Sequence, residues 1–170
     1  LKFSQLRWGM LAIFVYVGVE VTIQSNMGAL LALPQFGGLS TAQISPYISL
    51  YWGSLMIGRW TGAISAFNFK PSTKKLLMIV LPIVAYIIVL LANYLRGNEI
   101  TNLLPYSLCV AALIAGSFLA QEKPARMLFI FSAGGILAML VGLFTEGQVA
   151  MFAFISGGLC CSIGWPCIFA

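Results

Sequence analysis

The sequence predicts an all-α integral membrane protein, and three observations support this fold class. Of the 170 residues, 61% are hydrophobic and 8% are charged, whereas a soluble domain carries about 25% charged residues. The apolar residues form continuous runs long enough to cross a bilayer. The basic residues gather in alternate connections between these runs. This pattern excludes a water-soluble globule and a disordered chain.

Six segments are apolar over the roughly 20 residues that a helix needs to cross the hydrocarbon of a membrane. They are Trp8–Leu33, Pro46–Phe69, Leu76–Leu95, Leu103–Ala120, Met127–Phe144 and Val149–Ala170. Proline, glycine and lysine residues separate them, as expected for short connections. The strands of a membrane barrel would show short alternating segments, and these runs are continuous instead. The sequence therefore predicts six transmembrane helices.

The distribution of Lys and Arg predicts the orientation of these helices. Apart from Arg59, which lies within a span, seven basic residues precede the first span or lie in the second and fourth connections: Lys2, Arg7, Lys70, Lys74, Lys75, Lys123 and Arg126. The other connections contain only one, Arg96. Because basic loops stay on the cytoplasmic side, both ends of the chain are predicted to be cytoplasmic. We also expect the chain to be part of a longer protein, since it lacks an initiator methionine and stops within an apolar run.

The composition argues against several functional classes. The chain contains no histidine and four acidic residues, and its four cysteines lie within apolar runs. A metal site or a nucleophile–base pair would need more such groups, so we expect neither an enzyme nor a protein with a cofactor. The basic residues form no continuous stripe, so we expect no nucleic-acid partner.

Two ionisable residues lie within predicted spans, where an unpaired charge is costly. Glu20 lies near the middle of the first span, and Tyr16, Glu20 and Gln24 recur at every fourth position on one helix face. Asn26 adds polarity further along that helix. Such a face suits a hydroxyl-rich ligand, and the Glu20 carboxyl is able to carry a proton. A simple hydrogen-bonded contact between helices is the alternative.

Arg59 lies in the motif Gly58-Arg59-Trp60-Thr61-Gly62 of the second span. We expect it to bond helix-end carbonyls or a carboxylate outside this chain, in a structural or gating role, with direct substrate contact as the alternative.

In the last span, Trp165 and Pro166 follow several small residues. The proline permits a bend, and the tryptophan is able to stack on a sugar ring, although an ordinary kinked packing helix explains both equally well.

Three segments together resemble a known family. Tyr16-Val17-Gly18-Val19-Glu20-Val21, Gly58-Arg59-Trp60-Thr61-Gly62 and Ser162-Ile163-Gly164-Trp165-Pro166-Cys167-Ile168-Phe169 are similar to motifs of the fucose/galactose/glucose:proton symporters of the major facilitator superfamily. Glu20 matches the acidic position of the glucose/galactose-type branch. In that family these motifs fall in the seventh, eighth and tenth of twelve helices.

The resemblance implies a part of the carboxy-terminal half of a transporter. Residues 1–69 would correspond to the seventh and eighth helices, and residues 127–170 to the ninth and tenth. Residues 70–126 would form an inserted transmembrane hairpin, which we expect to be peripheral. Two extra spans leave the sidedness of the later helices unchanged, in agreement with the charge distribution.

The resemblance also implies a function. It predicts import of a hexose, glucose or galactose, by proton symport across a bacterial inner membrane, with lipid and the rest of the transporter as further partners. The predicted substrate-binding residues are Tyr16, Glu20, Gln24, Asn26 and Trp165, with Glu20 as a proton-coupling candidate. The predicted gating or structural residues are Gly58, Arg59, Gly62 and Pro166. A different solute, sodium as the coupling ion, or a membrane assembly or sensor subunit without transport activity remain as alternatives.

Overall fold

The computed structural model describes residues 4–120 and 123–169, and within them the long elements are all helices. They are α1 (Ser4–Ala32), α2 (Thr41–Ala66), α3 (Pro71–Leu95), α4 (Ser107–Leu119), α5 (Pro124–Phe144) and α6 (Gly147–Phe169). Short 3-10 helices, Pro34–Phe36 and Thr101–Tyr106, precede α2 and α4. The helices overlap the six predicted segments, which confirms the all-α fold class. The boundaries differ by a few residues, most of all in α2, which begins at Thr41 and ends at Ala66. Ala170, the end of the last predicted segment, lies outside the described residues.

Five of these helical regions are long and apolar enough to cross a membrane: Leu6–Ala32, Pro71–Leu95, Thr101–Leu119, Pro124–Phe144 and Gly147–Ile168. The helix α2 is not among them, although its 26 residues would extend about 39 Å. Its sequence is rich in serine, tyrosine and tryptophan and includes Arg59, so its average hydropathy is lower. The prediction of six spans is therefore approximate, with five supported by length and composition.

The helix boundaries follow from local sequence. Ser40 precedes α2, and its backbone N–H donates to the Gln43 side chain at 3.0 Å, in a capping box. Pro71 and Pro124 occupy the first turns of α3 and α5, where no N–H is needed. At the end of α3, Gly97 adopts a φ of +77°. Its N–H donates to the Tyr94 carbonyl, and that of Asn98 donates to the Asn93 carbonyl, which satisfies the last carbonyls of the helix.

The helix α6 lies at the centre of the bundle, in contact with α1, α2, α4 and α5. Its closest approach is to α2, because small residues face each other there. A Cβ atom on Gly58 would lie 1.8 Å from Ser162 Oγ and 2.7 Å from the Leu159 carbonyl oxygen. A Cβ on Gly62 would lie 2.5 Å from Pro166 Cγ. Small residues spaced by four thus allow the two backbones to pack together, as is common in membranes.

The described part of the predicted hairpin 70–126 packs on the bundle through polar contacts as well as apolar ones. Tyr106 is fully buried, and its hydroxyl lies 2.7 Å from Ser54 Oγ on α2. Ser54 itself donates to the Leu50 carbonyl, so Tyr106 is the donor in this pair. Asn93, also fully buried, donates to Ser49 Oγ at 3.1 Å.

The opposite face of α3 is exposed and almost entirely aliphatic: Leu76, Ile79, Val80, Ile83, Val84, Ile87, Ile88, Leu91 and Leu95. A contiguous apolar surface of this kind is typical of contact with lipid. The hairpin therefore has one face packed on α2 and one face suited to the bilayer.

We predict that Gly58→Ala destabilises the protein by about 1–3 kcal/mol, because the new methyl group collides with a backbone carbonyl of α6 that cannot move independently. Gly134→Ala is the matched control, since a Cβ there has ordinary contacts, the nearest atom being Cys160 Sγ at 3.7 Å. Unfolding of both variants in detergent would be compared with that of the unsubstituted protein. Equal stabilities of the two variants would contradict the close approach of α2 and α6.

A second prediction concerns the hairpin. Tyr106→Phe should lower the free energy of unfolding by about 0.5–1.5 kcal/mol, because it removes the donor to Ser54 without leaving a large cavity. Tyr94→Phe is the control, since the Tyr94 side chain is 64% exposed. If both substitutions had the same small effect, the hydrogen bond between the hairpin and α2 would not stabilise the fold.

Candidate functional site

The two ionisable residues within the spans lie against each other. Arg59 Nη2 on α2 donates to Glu20 Oε1 on α1 at 2.5 Å. The Tyr16 hydroxyl, one turn before Glu20 on α1, donates to Glu20 Oε2. The spacing of four residues places Tyr16 and Glu20 side by side on the helix. Both carboxylate oxygens of Glu20 are thus engaged.

The environment of this cluster differs on its two sides. The Glu20 side chain is 12% exposed and that of Arg59 is 42% exposed, so the carboxylate is shielded while the guanidinium reaches an open cleft. Arg59 Nε is buried and has no hydrogen-bond partner among the described residues. The Tyr51 hydroxyl of α2 donates to the Glu20 carbonyl at 3.2 Å. This is a second bond between α1 and α2 at the same level.

The pairing corrects the expectation for Arg59. Its partner is a carboxylate of this chain, and neither a helix-end carbonyl nor a group outside the chain is needed to compensate its charge. The sequence contained a signal for this pairing, because two opposite charges lie within otherwise apolar spans and each one alone would be costly there. Sequence reasoning missed Tyr51, since one tyrosine among several in α2 carries no distinguishing pattern.

Trp165 completes the wall of a cleft beside the ion pair. Its ring centroid lies 6.1 Å from that of Tyr16, and its side chain is 42% exposed. Together with Glu20, Arg59, Val17 and Val21, these rings line a cleft of about 340 Å³. We call this the central cleft. It offers a carboxylate acceptor, guanidinium donors and an exposed indole face.

The structure does not bring the other polar residues of α1 into the central cleft. Asn26 is exposed and donates to the Thr22 carbonyl of its own helix at 2.8 Å. Gln24 is half-buried, one turn beyond Glu20, and does not line the cleft. Each step of four residues along an α-helix exceeds one full turn by about 40°. Side chains four residues apart on α1 therefore point in gradually different directions. The assignment of Gln24 and Asn26 to substrate binding stays a prediction.

Gly58, Gly62 and Pro166 lie behind the cleft, at the crossing of α2 and α6. Gly58 immediately precedes Arg59, so the close approach of the helices fixes the backbone from which the arginine extends. Pro166 immediately follows Trp165, so the same helix crossing also fixes the backbone from which the tryptophan extends. The described residues contain no group of three or more His, Cys, Asp or Glu side chains that could hold a metal ion.

Fold and site together define a multi-pass helical membrane protein with an ion pair and a polar cleft among its helices. Two relatives share part of its sequence: the glucose/galactose transporters of Brucella abortus biovar 1 (strain 9-941) and of Brucella abortus (strain 2308). Each is 36% identical over 62 residues, which make up 36% of this chain and 15% of the relative. The match thus spans less than a sixth of those transporters.

The two relatives are transporters, in agreement with the prediction that the protein is not an enzyme. No protein-family profile matches the chain, and no solved structure does.

We predict that the Glu20–Arg59 pair stabilises the bundle cooperatively. In a double-mutant cycle of Glu20→Gln, Arg59→Gln and the combined variant, the coupling energy should be about 1–3 kcal/mol, because the carboxylate is shielded from water and hydrogen-bonded. The measurement is the free energy of unfolding in detergent. Additive effects of the two substitutions would show that the pair contributes nothing to stability.

Proposed function

We propose that this chain is part of a secondary active transporter that imports a hexose, glucose or galactose, by proton symport with alternating access. The observation that carries the proposal is the central cleft, in which an intramembrane carboxylate, a partly exposed guanidinium and an indole ring meet. The similarity to the two glucose/galactose transporters supports the same substrate class.

The chemistry of the central cleft suits a sugar. Glu20 accepts hydrogen bonds, Arg59 donates them, and Trp165 presents an apolar ring to one side. A hexose offers hydroxyl groups that both donate and accept, and its C–H face is apolar, so it can engage all three groups at once. Binding then replaces the water that would otherwise solvate the exposed part of Arg59.

The ion pair suggests how a proton is coupled to the sugar. A proton added to Glu20 removes its negative charge and weakens its bond with Arg59. The guanidinium keeps its charge and needs a new acceptor, which a sugar hydroxyl oxygen supplies. Protonation and sugar binding therefore favour each other, and such coupling is reciprocal by linkage.

Loss of the Glu20–Arg59 bond on protonation would also affect the packing of the helices. Glu20 and Arg59 connect α1 to α2, and both helices pack on α6. Release of the pair leaves the Tyr51 bond as the polar contact between α1 and α2 at this level. We infer that this lets α1 move relative to α2 as access alternates between the two faces of the membrane. Transporters of this kind move one helical bundle against another around a site near the midplane.

The proposal also includes the membrane in which the protein lies and the orientation of its helices. We infer a bacterial inner membrane, with both ends of the chain cytoplasmic. The seven basic residues that precede the first span or lie in the second and fourth connections support this orientation. The rest of a longer transporter would face the central cleft and supply the other half of the sugar site.

The test is uptake of labelled glucose and galactose by the full-length protein in sealed proteoliposomes, with and without an imposed pH gradient. Glu20→Gln is neutral like the protonated carboxyl, so its apparent sugar affinity should no longer depend on pH. It should also abolish accumulation driven by the pH gradient. A sugar affinity that still changes with pH, together with unchanged accumulation, would contradict the role of Glu20.

Trp165→Leu is a second test and should raise the KM for the sugar. Trp60→Leu is its matched control, because Trp60 is exposed to the same 42% but does not line the central cleft. If uptake were driven only by a sodium gradient, the coupling ion would be sodium and not the proton. Absence of hexose uptake under both gradients would favour another solute or a protein without transport activity.

A further inference from the structure

A second and larger cleft lies at one end of the bundle, where α1 and α3 end and α2 begins. Its volume is about 740 Å³. The polar and aromatic residues that line it are Thr41, Ser45, Ser49, Trp52 and Arg96. We call this the end cleft. By the predicted orientation it opens on the side of the membrane opposite the basic connections.

The polar groups of the end cleft are available to a ligand. Within residues 4–120 and 123–169, the side chains of Thr41, Ser45 and Arg96 have no hydrogen-bond or ion-pair partner. Ser49 accepts a hydrogen bond from Asn93 at 3.1 Å, and its own hydroxyl proton is not donated to any described group. The end cleft therefore presents hydroxyl and guanidinium donors together.

The hairpin 70–126 supplies part of this arrangement. Arg96 directly follows α3, and Asn93 lies one turn earlier, fully buried against α2. The Asn93 amide is held from two sides, because its Oδ1 accepts from Asn98 Nδ2 at 3.1 Å and its Nδ2 also donates to the Val89 carbonyl. The hairpin thus fixes the orientation of Ser49 and brings a cation to the rim of the cleft.

The end cleft and the central cleft lie along the same two helices. On α2, Thr41, Ser45, Trp52 and Arg59 fall within about 40° of one another around the helix axis, at 100° per residue. Trp52 and Arg59 are seven residues, or about 10 Å, apart along α2. On α1, Gly28 of the end cleft lies two turns beyond Glu20. A ligand that leaves the end cleft along this face of α2 arrives at the ion pair.

We propose that the end cleft is a second, outer sugar-binding site, which captures a hexose before it reaches the central cleft. The proposal rests on the proposed function. The Trp52 side chain is 48% exposed, and its indole face suits the C–H face of a sugar ring, while Arg96, Ser45 and Ser49 donate to hydroxyl oxygens. Arg96 is the only cation in the lining, and an aromatic face beside it favours a neutral ring over a phosphate group.

The test measures hexose uptake by the full-length protein in proteoliposomes for Trp52→Leu, Ser49→Ala and Arg96→Gln. Each should raise the KM several-fold, about 5-fold per kcal/mol of lost binding, and leave the maximal rate unchanged, because the outer site binds without taking part in the proton step. The matched controls are Trp8→Leu and Arg7→Gln. Both residues are exposed on α1 and lie outside the end cleft, so their KM should not change.

The outcomes separate this proposal from the proposed function. If the unsubstituted protein takes up no hexose, the proposed function fails and the outer site fails with it. If it transports hexose normally and all three variants keep its KM, only the outer site is wrong.

Thermal stability in a neutral detergent provides the second measurement, with glucose, inorganic phosphate or phosphatidylglycerol vesicles added in turn. A stabilisation by glucose that is reduced in Arg96→Gln supports the proposal. A stabilisation by phosphate or by phosphatidylglycerol that depends on Arg96, with no change in hexose KM, would overturn it in favour of an anion or a lipid headgroup.

Discussion

A carboxylate and a guanidinium in apolar helices have little water to solvate them, and this constraint organises much of the bundle. Glu20 is shielded, so it needs Arg59, and Arg59 reaches it only because α2 lies close to α1 and α6. The glycines at positions 58 and 62 allow that approach. The ion pair therefore depends on small residues that carry no charge. Trp165 lies beside Tyr16 because α6 also packs on α1, where Gly164 faces the Tyr16 ring.

The polar groups of α2 serve contacts in several directions. Ser54 receives Tyr106 of the hairpin, Tyr51 reaches α1, and Arg59 forms the ion pair. Such bonds replace those that water would make with each group in a soluble protein. They also explain why α2 is the least apolar of the long helices and still lies inside the bundle. Among its described polar side chains, Tyr51 and Arg59 bond to α1, and Thr61 donates to the Ile57 carbonyl of α2 itself.

The hairpin 70–126 combines two roles in one element. Its aliphatic face suits lipid, while its opposite face reaches into α2 through Tyr106 and Asn93. The sequence shows Asn93 as one scattered polar residue within an apolar run, and burial alone would leave its amide unsatisfied. Contact with Ser49 and Asn98 resolves this, and it connects the hairpin to the end cleft. The hairpin is thus joined to the part of the bundle that carries the polar clefts.

Local patterns in the sequence determined the fold class, the approximate limits of the helices and the presence of two intramembrane charges, because bilayer thickness and helix geometry act on each segment separately. The pairing of Tyr16 with Glu20 also follows from a spacing of four residues. Only the tertiary structure decided that Arg59 meets Glu20, that Gln24 and Asn26 lie outside the central cleft, and that Tyr51 joins the cluster. These contacts depend on the rotation and crossing of whole helices, which small residues on two distant segments set jointly and which no single segment encodes.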